Sequence, residues 1–450
     1  MPDGSQCVAV IGGAVAGAEV AGTLAERGAR VVVFEQNPRP YGKIEDGLPR
    51  WHVALRRKEY ETIGSRLSLP GVHYVPNTRI GKDLDFHELV EAWGFSAVVL
   101  ACGAWRDRPL PVEGADEYVG RGLVYQNPFI LWFNHAGEAG YAGTRYVPED
   151  GTIVVGGGLA SIDVVKALMI ETTRARLRER GIEVGMVELE VKGIPKQLKA
   201  HGLAWEDLGL EGCTLFYRRR AEDMPLVEIP EDATPERAEK VLRSREKLLA
   251  KAMEKYLFQV ETLCAPEALV VEDGRLVGLR FRRTRLEGGR LVATDEVFER
   301  RGSTVVSSIG SIPEPIPGIA MRGELFAFTD FELGRLDAWP TVFSAGNVVT
   351  GKGNIVASRK HAREIGAAVA AAFLGVGPAG HAGEEALGEL AHERAREAAE
   401  GIASRVAALP ALAPGDLAAL LARVGERQRA VGYDGDYAAW IRRVTPPDLE

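Results

Sequence analysis

Residues 8–35, VAVIGGAVAGAEVAGTLAERGARVVVFE, constrain the fold more than any other stretch of this 450-residue chain. The apolar run 8–11 reads as a short strand of the kind buried in a parallel sheet. Gly12, Gly13, Ala14 and Gly17 then make a tight turn that opens a helix reaching about residue 27, with Val20, Ala21 and Leu24 on its apolar side. Residues 31–34 form a second buried strand, and Glu35 ends it. Small residues let the backbone approach a pyrophosphate closely, and the amides and dipole of the helix start favour its charge. Glu35, about 20 residues on, stands where a carboxylate holds a pair of ribose hydroxyls. Ala14 replaces the second glycine of the usual pattern without filling space the ligand needs. The competing reading is plain packing of small residues between strand and helix.

The same logic recurs at residues 151–166, GTIVVGGGLASIDVVK. A strand at 153–155 leads into Gly156, Gly157 and Gly158, and a helix begins near Ser161, after Leu159 and Ala160. The matching second strand, 214–217, ends in Arg218, Arg219 and Arg220 rather than in an acid. A carboxylate there would repel a 2′-phosphate, whereas guanidinium forks bind one bidentately. The second cradle is therefore expected to take NADP(H). The first, with Glu35, is expected to take a nucleotide with free ribose hydroxyls, such as FAD. A sheet edge or solvated helix face would also account for three arginines in a row.

Between the cradles the pattern predicts a helix at 53–66, short strands at 72–76 and 79–80, a helix at 86–93 and a buried strand at 97–101. Arg56, Arg57 and Lys58 are either a solvated helix face or a docking patch for an acidic partner. The turn Cys102-Gly103-Ala104 lets the chain pass tightly beside a bound nucleotide. Further on, helical character marks an insertion at 168–212, a charged helix spans 235–256, and strands at 269–281 and 291–297 flank Gly288-Gly289. A strand at 304–309 precedes a hinge at Gly310, Pro313, Pro315 and Pro317. A last strand, 341–345, ends in Gly346-Asn347, and a helix starts near Ile355, where amides suit a flavin edge or a phosphate. The tail from 376 is helical, with Tyr433, Tyr437 and Trp440 as packing anchors rather than cofactor contacts.

A formal charge of −8 argues against nucleic acid as a partner, and no apolar run reaches membrane-spanning length. No basic-then-apolar segment opens the sequence, so a cytoplasmic location is expected. Cys7, Cys102, Cys213 and Cys264 lie far apart, which excludes a local redox disulfide and a self-contained four-thiolate cluster. Buried thiols in a reducing cytosol are expected instead.

The segments VIGGAVAG, PYGKIEDGLPRWH, AVVLACGA, NPFILWFN, VVGGGLASIDV, FYRRR, VVSSIGS and AGNVVTGKGN, spread over 7–375, together resemble the adrenodoxin-reductase type of ferredoxin–NADP⁺ reductase and the related small subunit of glutamate synthase. That resemblance implies an α/β fold with two Rossmann-like dinucleotide-binding domains, the NADP domain inserted in the FAD domain, plus a helical C-terminal extension. The implied boundaries are 1–115 and 315–375 for the FAD domain, 116–314 for the NAD(P)H domain and 376–450 for the extension. Implied FAD contacts are Gly12, Ala14, Gly17, Glu35, Gly42, Lys43, Gly103, Gly346, Asn347, Gly353, Asn354 and Ile355. Implied NADP(H) contacts are Gly156, Gly158, Leu159, Ala160, Ser161, Arg218 and Arg219. His52 resembles a histidine near the flavin, its bland alternative being loop packing, and Glu228 is placed at the nicotinamide side.

The expected activity is transfer of electrons from NADPH through FAD to a one-electron iron–sulfur acceptor, a ferredoxin or a cluster-bearing partner subunit, with the insertion and tail as candidate subunit contacts. The alternatives are a flavin monooxygenase or oxidase, and a non-catalytic nucleotide-binding assembly module. Three departures stand out. The glutamate-synthase subunits carry an N-terminal cysteine-rich segment, whereas this sequence begins at the flavin fold. Asp223-Met224-Pro225 looks like the glutamate-synthase side, while NPFILWFN and VVSSIGS look like adrenodoxin reductase. Asn347 stands where the wider class has Asp or Trp.

Overall fold

The first glycine turn joins β1 (Cys7–Ile11) to β2 (Arg30–Phe34) through α1 (Val15–Glu26), and the two strands pair in parallel with Val8 opposite Val31 and Ile11 opposite Phe34. The chain then forms α2 (Val53–Leu67), β3 (Val72–Val75) and β4 (Ala97–Leu100). The computed structural model describes residues 6–229, 233–350, 366–377 and 382–446.

The chain now leaves this sheet to build a second one. β5 (Leu123–Tyr125), β6 (Ile153–Gly156), β7 (Thr214–Tyr217), β8 (Gln259–Thr262) and β9 (Val305–Ser308) are all parallel. Only afterwards does β10 (Val342–Ser344) return to the first sheet, beside β4. The orders are β3-β2-β1-β4-β10 and β8-β7-β6-β9-β5. In each, the order reverses beside the strand that carries the glycine turn, between β1 and β4 and between β6 and β9. Open parallel sheets bind ligands in the crevice at such reversals.

Both sheets are covered on two faces, which is why their strands are uninterrupted apolar runs. On the second sheet, α4 (Leu159–Glu179) and α6 (Pro235–Tyr256), introduced after α3 (Gln126–His135) and with α5 (Met186–Lys192) between them, pack one face. An antiparallel meander of Cys264–Glu272, Arg275–Glu287 and Arg290–Arg301 covers the other, where Phe281 stacks on Phe216 at 4.2 Å. On the first sheet the tail does much of the covering. After α7 (Gly366–Phe373), α8 (Ala382–Val406) buries Ala399, Ile402, Ala403 and Val406 beside α1. Helix α9 (Pro414–Ala430) sets Leu420 and Val424 against the opposite face, and α10 (Tyr437–Val444) ends the described chain.

Two expectations need correction. Residues 79–80 form no strand: Lys82 and Asp83 donate back to the Arg79 carbonyl in a turn, and Ile80 makes only an isolated bridge to Leu84. The helix expected near Ser161 is α4, which begins two residues earlier at Leu159 and runs to Glu179, and helical structure continues beyond it in α5, as expected for 168–212. Arg56 is not on a solvated face. It is buried and donates to the Glu45 carbonyl at 3.2 Å and the Tyr60 hydroxyl at 3.0 Å, leaving Arg57 exposed and Lys58 paired with Glu389. No helix among the described residues is long and apolar enough to cross a membrane.

Candidate functional site

At the first cradle the backbone leaves no room for larger side chains. Gly12 has φ +101°, and a Cβ there would sit 2.7 Å from the Ala101 carbonyl oxygen across the β1/β4 reversal. A Cβ on Gly17 would collide with the Gly12 carbonyl. Ala14 caps α1 without any side-chain hydrogen bond, so the first-turn amides keep their capacity for an anion. Glu35 is buried: its Oε2 accepts from the Gly13 amide and its Oε1 from the Asn37 amide, each at 2.9 Å. Burial pushes its carboxyl up to about 7 despite those amides. Gly42 (φ +50°) leans on the turn, a Cβ there falling 2.9 Å from that of Ala14, and Gly103 takes φ +71° just past β4. Gly346 packs on the first turn of α1, where its Cβ would lie 2.7 Å from Ala16 Cβ, and half-buried Asn347 starts a four-residue helix. Gly353, Asn354 and Ile355 lie outside the described residues.

The second cradle repeats this geometry. A Cβ on Gly156 would stand 2.5 Å from the Ser308 carbonyl oxygen, the counterpart of Gly12 against Ala101. One on Gly157 would strike the Tyr217 ring. Gly158 caps α4 with no side-chain bond, and the Ser161 hydroxyl donates back to the Gly158 carbonyl at 2.6 Å. Leu159 and Ala160 form the first turn. Beyond β7, Arg218 is exposed, Arg219 lies 3.8 Å from Asp223, and Arg220 is engaged by Glu222 and Asp223. The three arginines are thus unequal: Arg220 has its fork occupied, while Arg218 forms no ion pair among the described residues.

Two chain crossings connect the cradles, and they pair with each other: Arg106–Asp107 runs antiparallel to Ser311–Ile312. Lys43 fastens this joint rather than the glycine turn. Its ammonium donates to Asn127 Oδ1 at 3.2 Å and Ser311 Oγ at 3.0 Å and stands 5.5 Å from the Trp105 ring. Burial lowers it to about 8, against the pull of Asp107, whose own carboxyl burial raises to about 6. His52 is buried at the start of α2 with its ring stacked on Phe373 at 4.8 Å. Glu228 sits 3.6 Å from Arg394 of α8, tying the second unit to the tail.

Two buried networks were not anticipated. Lys166, 0% exposed, donates to Glu190 Oε1 at 3.0 Å and lies over the Trp51 and Tyr256 rings, while the Tyr256 hydroxyl donates to the same carboxylate. Burial opposes ionisation of Glu190, but Lys166 wins and holds it down to about 2. This cluster lies next to His52 and brings α5 to the junction. His392 of α8, 3% exposed, stands between Glu19 and Glu59. Lys166 among Ile162, Val165 and Met169 was a visible oddity of the sequence; His392 in an Ala/Glu/Arg-rich helix was not.

No protein-family model matches the chain. It is 25% identical over 389 residues to a glutamate synthase [NADPH] small chain of Mycobacterium tuberculosis, covering 82% of this chain and 67% of that protein. The structure superposes on FprA from Mycobacterium tuberculosis with a TM-score of 0.65 at 16% identity, covering 94% of this chain and 90% of that one. By sequence the chain is similar to glutamate synthase small chains, and in fold to FprA. A cindoxin reductase of Citrobacter braakii is 33% identical over 168 residues, which is 36% of this chain and 34% of that one. An NADPH-Fe(3+) oxidoreductase subunit beta of Geobacter sulfurreducens is 33% identical over 228 residues, 50% of this chain and 26% of that one. The chain therefore spans about a third or less of two of these relatives and two thirds of another.

Proposed function

We propose that this chain is an FAD-dependent reductase that passes electrons from NADPH to a one-electron iron–sulfur acceptor. The observation that carries the reading is the contrast between two like cradles, one closed by buried Glu35 and the other by Arg218 and Arg219. In the first, Gly12, Ala14 and Gly17 would receive a pyrophosphate and Glu35 a ribose, with Gly103, Gly346 and Asn347 bordering the rest. In the second, Gly156, Gly158 and the first turn of α4 would hold the pyrophosphate of NADPH, and Arg218 its 2′-phosphate. FAD, when bound, supplies a carrier that takes two electrons together and releases them singly. The protein's share is alignment of the two nucleotides and exclusion of water between them. His52, buried and fixed by Phe373, is the group we place nearest that contact; Glu228 belongs to its rim.

The four thiols are all unpaired, so electrons have no local disulfide to enter. That supports direct delivery to a partner: a ferredoxin, or a cluster-bearing subunit of a larger complex, as the names of the glutamate synthase and Geobacter relatives suggest. Unpaired thiols also suit a cytoplasmic location. We keep 1–115 with 315–375, and 116–314, as the two domains.

The test is anaerobic reduction of the FAD-reconstituted chain by NADPH and by NADH. NADPH is expected to be preferred, and Arg218→Ala to cut the preference by roughly 10- to 100-fold, the loss of one charge-assisted bond worth about 1.5–3 kcal/mol. An unchanged preference ratio would remove the arginine assignment, and a chain that takes up no FAD would remove the reading as a whole.

A further inference from the structure

We infer that the C-terminal extension is a flavin-retaining element: α10 holds the loop 36–42 against the first glycine turn, and so fixes one wall of the adenosine end of that cradle. This rests on the flavin reading of the first cradle.

The contacts run in one line from the tail to the turn. The Trp440 indole Nε1 donates to the Pro38 carbonyl at 2.7 Å, the same carbonyl that the Tyr74 hydroxyl reaches at 3.3 Å. One residue on, Arg39 donates from its guanidinium to the Val444 carbonyl at 3.0 Å and pairs with Glu45 at 2.7 Å. Both bonds cross about four hundred positions of sequence, so nothing local enforces them. The tail is itself anchored there by aromatic edges: Tyr437 on Tyr74 at 5.3 Å, Tyr433 on Tyr74 at 5.8 Å, and Tyr433 on Trp440 at 5.6 Å. Gln428 of α9 adds a bond to the Tyr74 carbonyl at 2.9 Å.

On its other side the loop presses on the cradle. Pro40 stands where a Cβ on Gly13 would fall, 2.8 Å away, and Gly42 abuts Ala14. Glu35, just before the loop, shares the Gly13 and Asn37 amides between its two oxygens. Residues 37–42 thus meet the pyrophosphate turn and the ribose acid at once, and a loop of two prolines and a left-handed glycine has no secondary structure of its own to hold it there. Its position is set from outside, by α10 together with Tyr74 and with Tyr60, on which Tyr41 stacks at 3.9 Å. The matching loop of the second cradle is held instead by Arg245 of α6, which donates to the Val227 and Glu222 carbonyls, and by Arg394 of α8 beside Glu228, not by α10, which supplies an internal control.

The experiment compares the full chain with Trp440→Phe and with a chain ending at Gly432, measuring FAD affinity by flavin fluorescence, NADP⁺ affinity by calorimetry and amide hydrogen exchange by mass spectrometry. Trp440→Phe keeps an aromatic ring but loses the pyrrole half of the indole and with it the donor; FAD affinity is expected to fall by about three- to tenfold. The shortened chain is expected to lose FAD on gel filtration. In both, exchange should quicken at 36–46 and not at 156–161, and NADP⁺ affinity should hold. Unchanged FAD affinity, or FAD and NADP⁺ affinities falling together, would overturn the inference. Should the full chain bind no FAD, quickened exchange confined to 36–46 would leave the strap standing and the flavin reading fallen; unchanged exchange would end both.

Discussion

His392 offers the sharpest physical test of how the tail is held. Its two ring nitrogens lie 2.7 Å from Glu19 Oε1 on α1 and 2.7 Å from Glu59 Oε2 on α2, and only a doubly protonated imidazolium can donate to both. Arg66 reaches Glu19 at 3.1 Å and Arg396 at 3.5 Å, so the cluster holds three cations and two carboxylates. Burial alone would lower the imidazole, but the hydrogen bonds to Glu19 and Glu59 outweigh it and raise His392 to about 9. An ordinary histidine titrates near 6.5, and each unit is worth about 1.4 kcal/mol, so the cluster contributes on the order of 3 kcal/mol of pH-dependent stability. Because the folded value is the higher one, that stability is whole below about pH 6.5 and drains away as pH rises through about 9. His392→Gln removes the second donor and leaves two buried carboxylates to two peripheral arginines. Thermal unfolding of both proteins from pH 6 to 10 should show a gap of about 3 kcal/mol at the acid end that closes towards pH 9. A gap that stays constant across that range would refute the protonated bridge.

Two more outcomes follow from geometry. Gly17→Ala forces a methyl into the Gly12 carbonyl and should yield protein that takes up no flavin on reconstitution, read by visible absorbance, while NADP⁺ binding survives; full flavin loading would contradict the close approach. Lys166→Met or Glu190→Gln alone leaves a buried charge unmatched and should cost about 3–5 kcal/mol, whereas Lys166→Met with Glu190→Leu should recover most of it. Thermal unfolding decides, and a double variant as unstable as the singles combined would count against the network.

The cradles were legible because each is written locally: a buried run, a small-residue turn and an amphipathic helix lie within about 30 residues. The same holds for Pro235–Tyr256, whose ends carry Thr234 as an N-cap accepting from the Arg237 amide and a left-handed Leu257. What stayed hidden depends on partners remote in sequence. Arg56 reads as one of three surface cations until Glu45 and Tyr60 close over it. Lys43, an FAD contact by resemblance alone, bonds Asn127 and Ser311, and nothing near it in sequence announces either partner. His392 and Trp440 act on residues hundreds of positions away, and no periodicity encodes that. The two-residue apolar hint at 79–80 failed for the opposite reason: Gly81 and the Asp83 side chain, which accepts from the Arg79 amide at 2.8 Å, make a tight turn there.

The paired crossings at Arg106–Asp107 and Ser311–Ile312 bear on how such a molecule works. A hinge bends freely when its strands can shear past one another. Here the two are zipped together and Lys43 bonds Asn127 and Ser311 beside them, so sliding one strand past the other would break those bonds, while a twist about their common axis would not. The joint therefore resists shear between the two nucleotide units and leaves rotation about the paired strands as the movement that costs least.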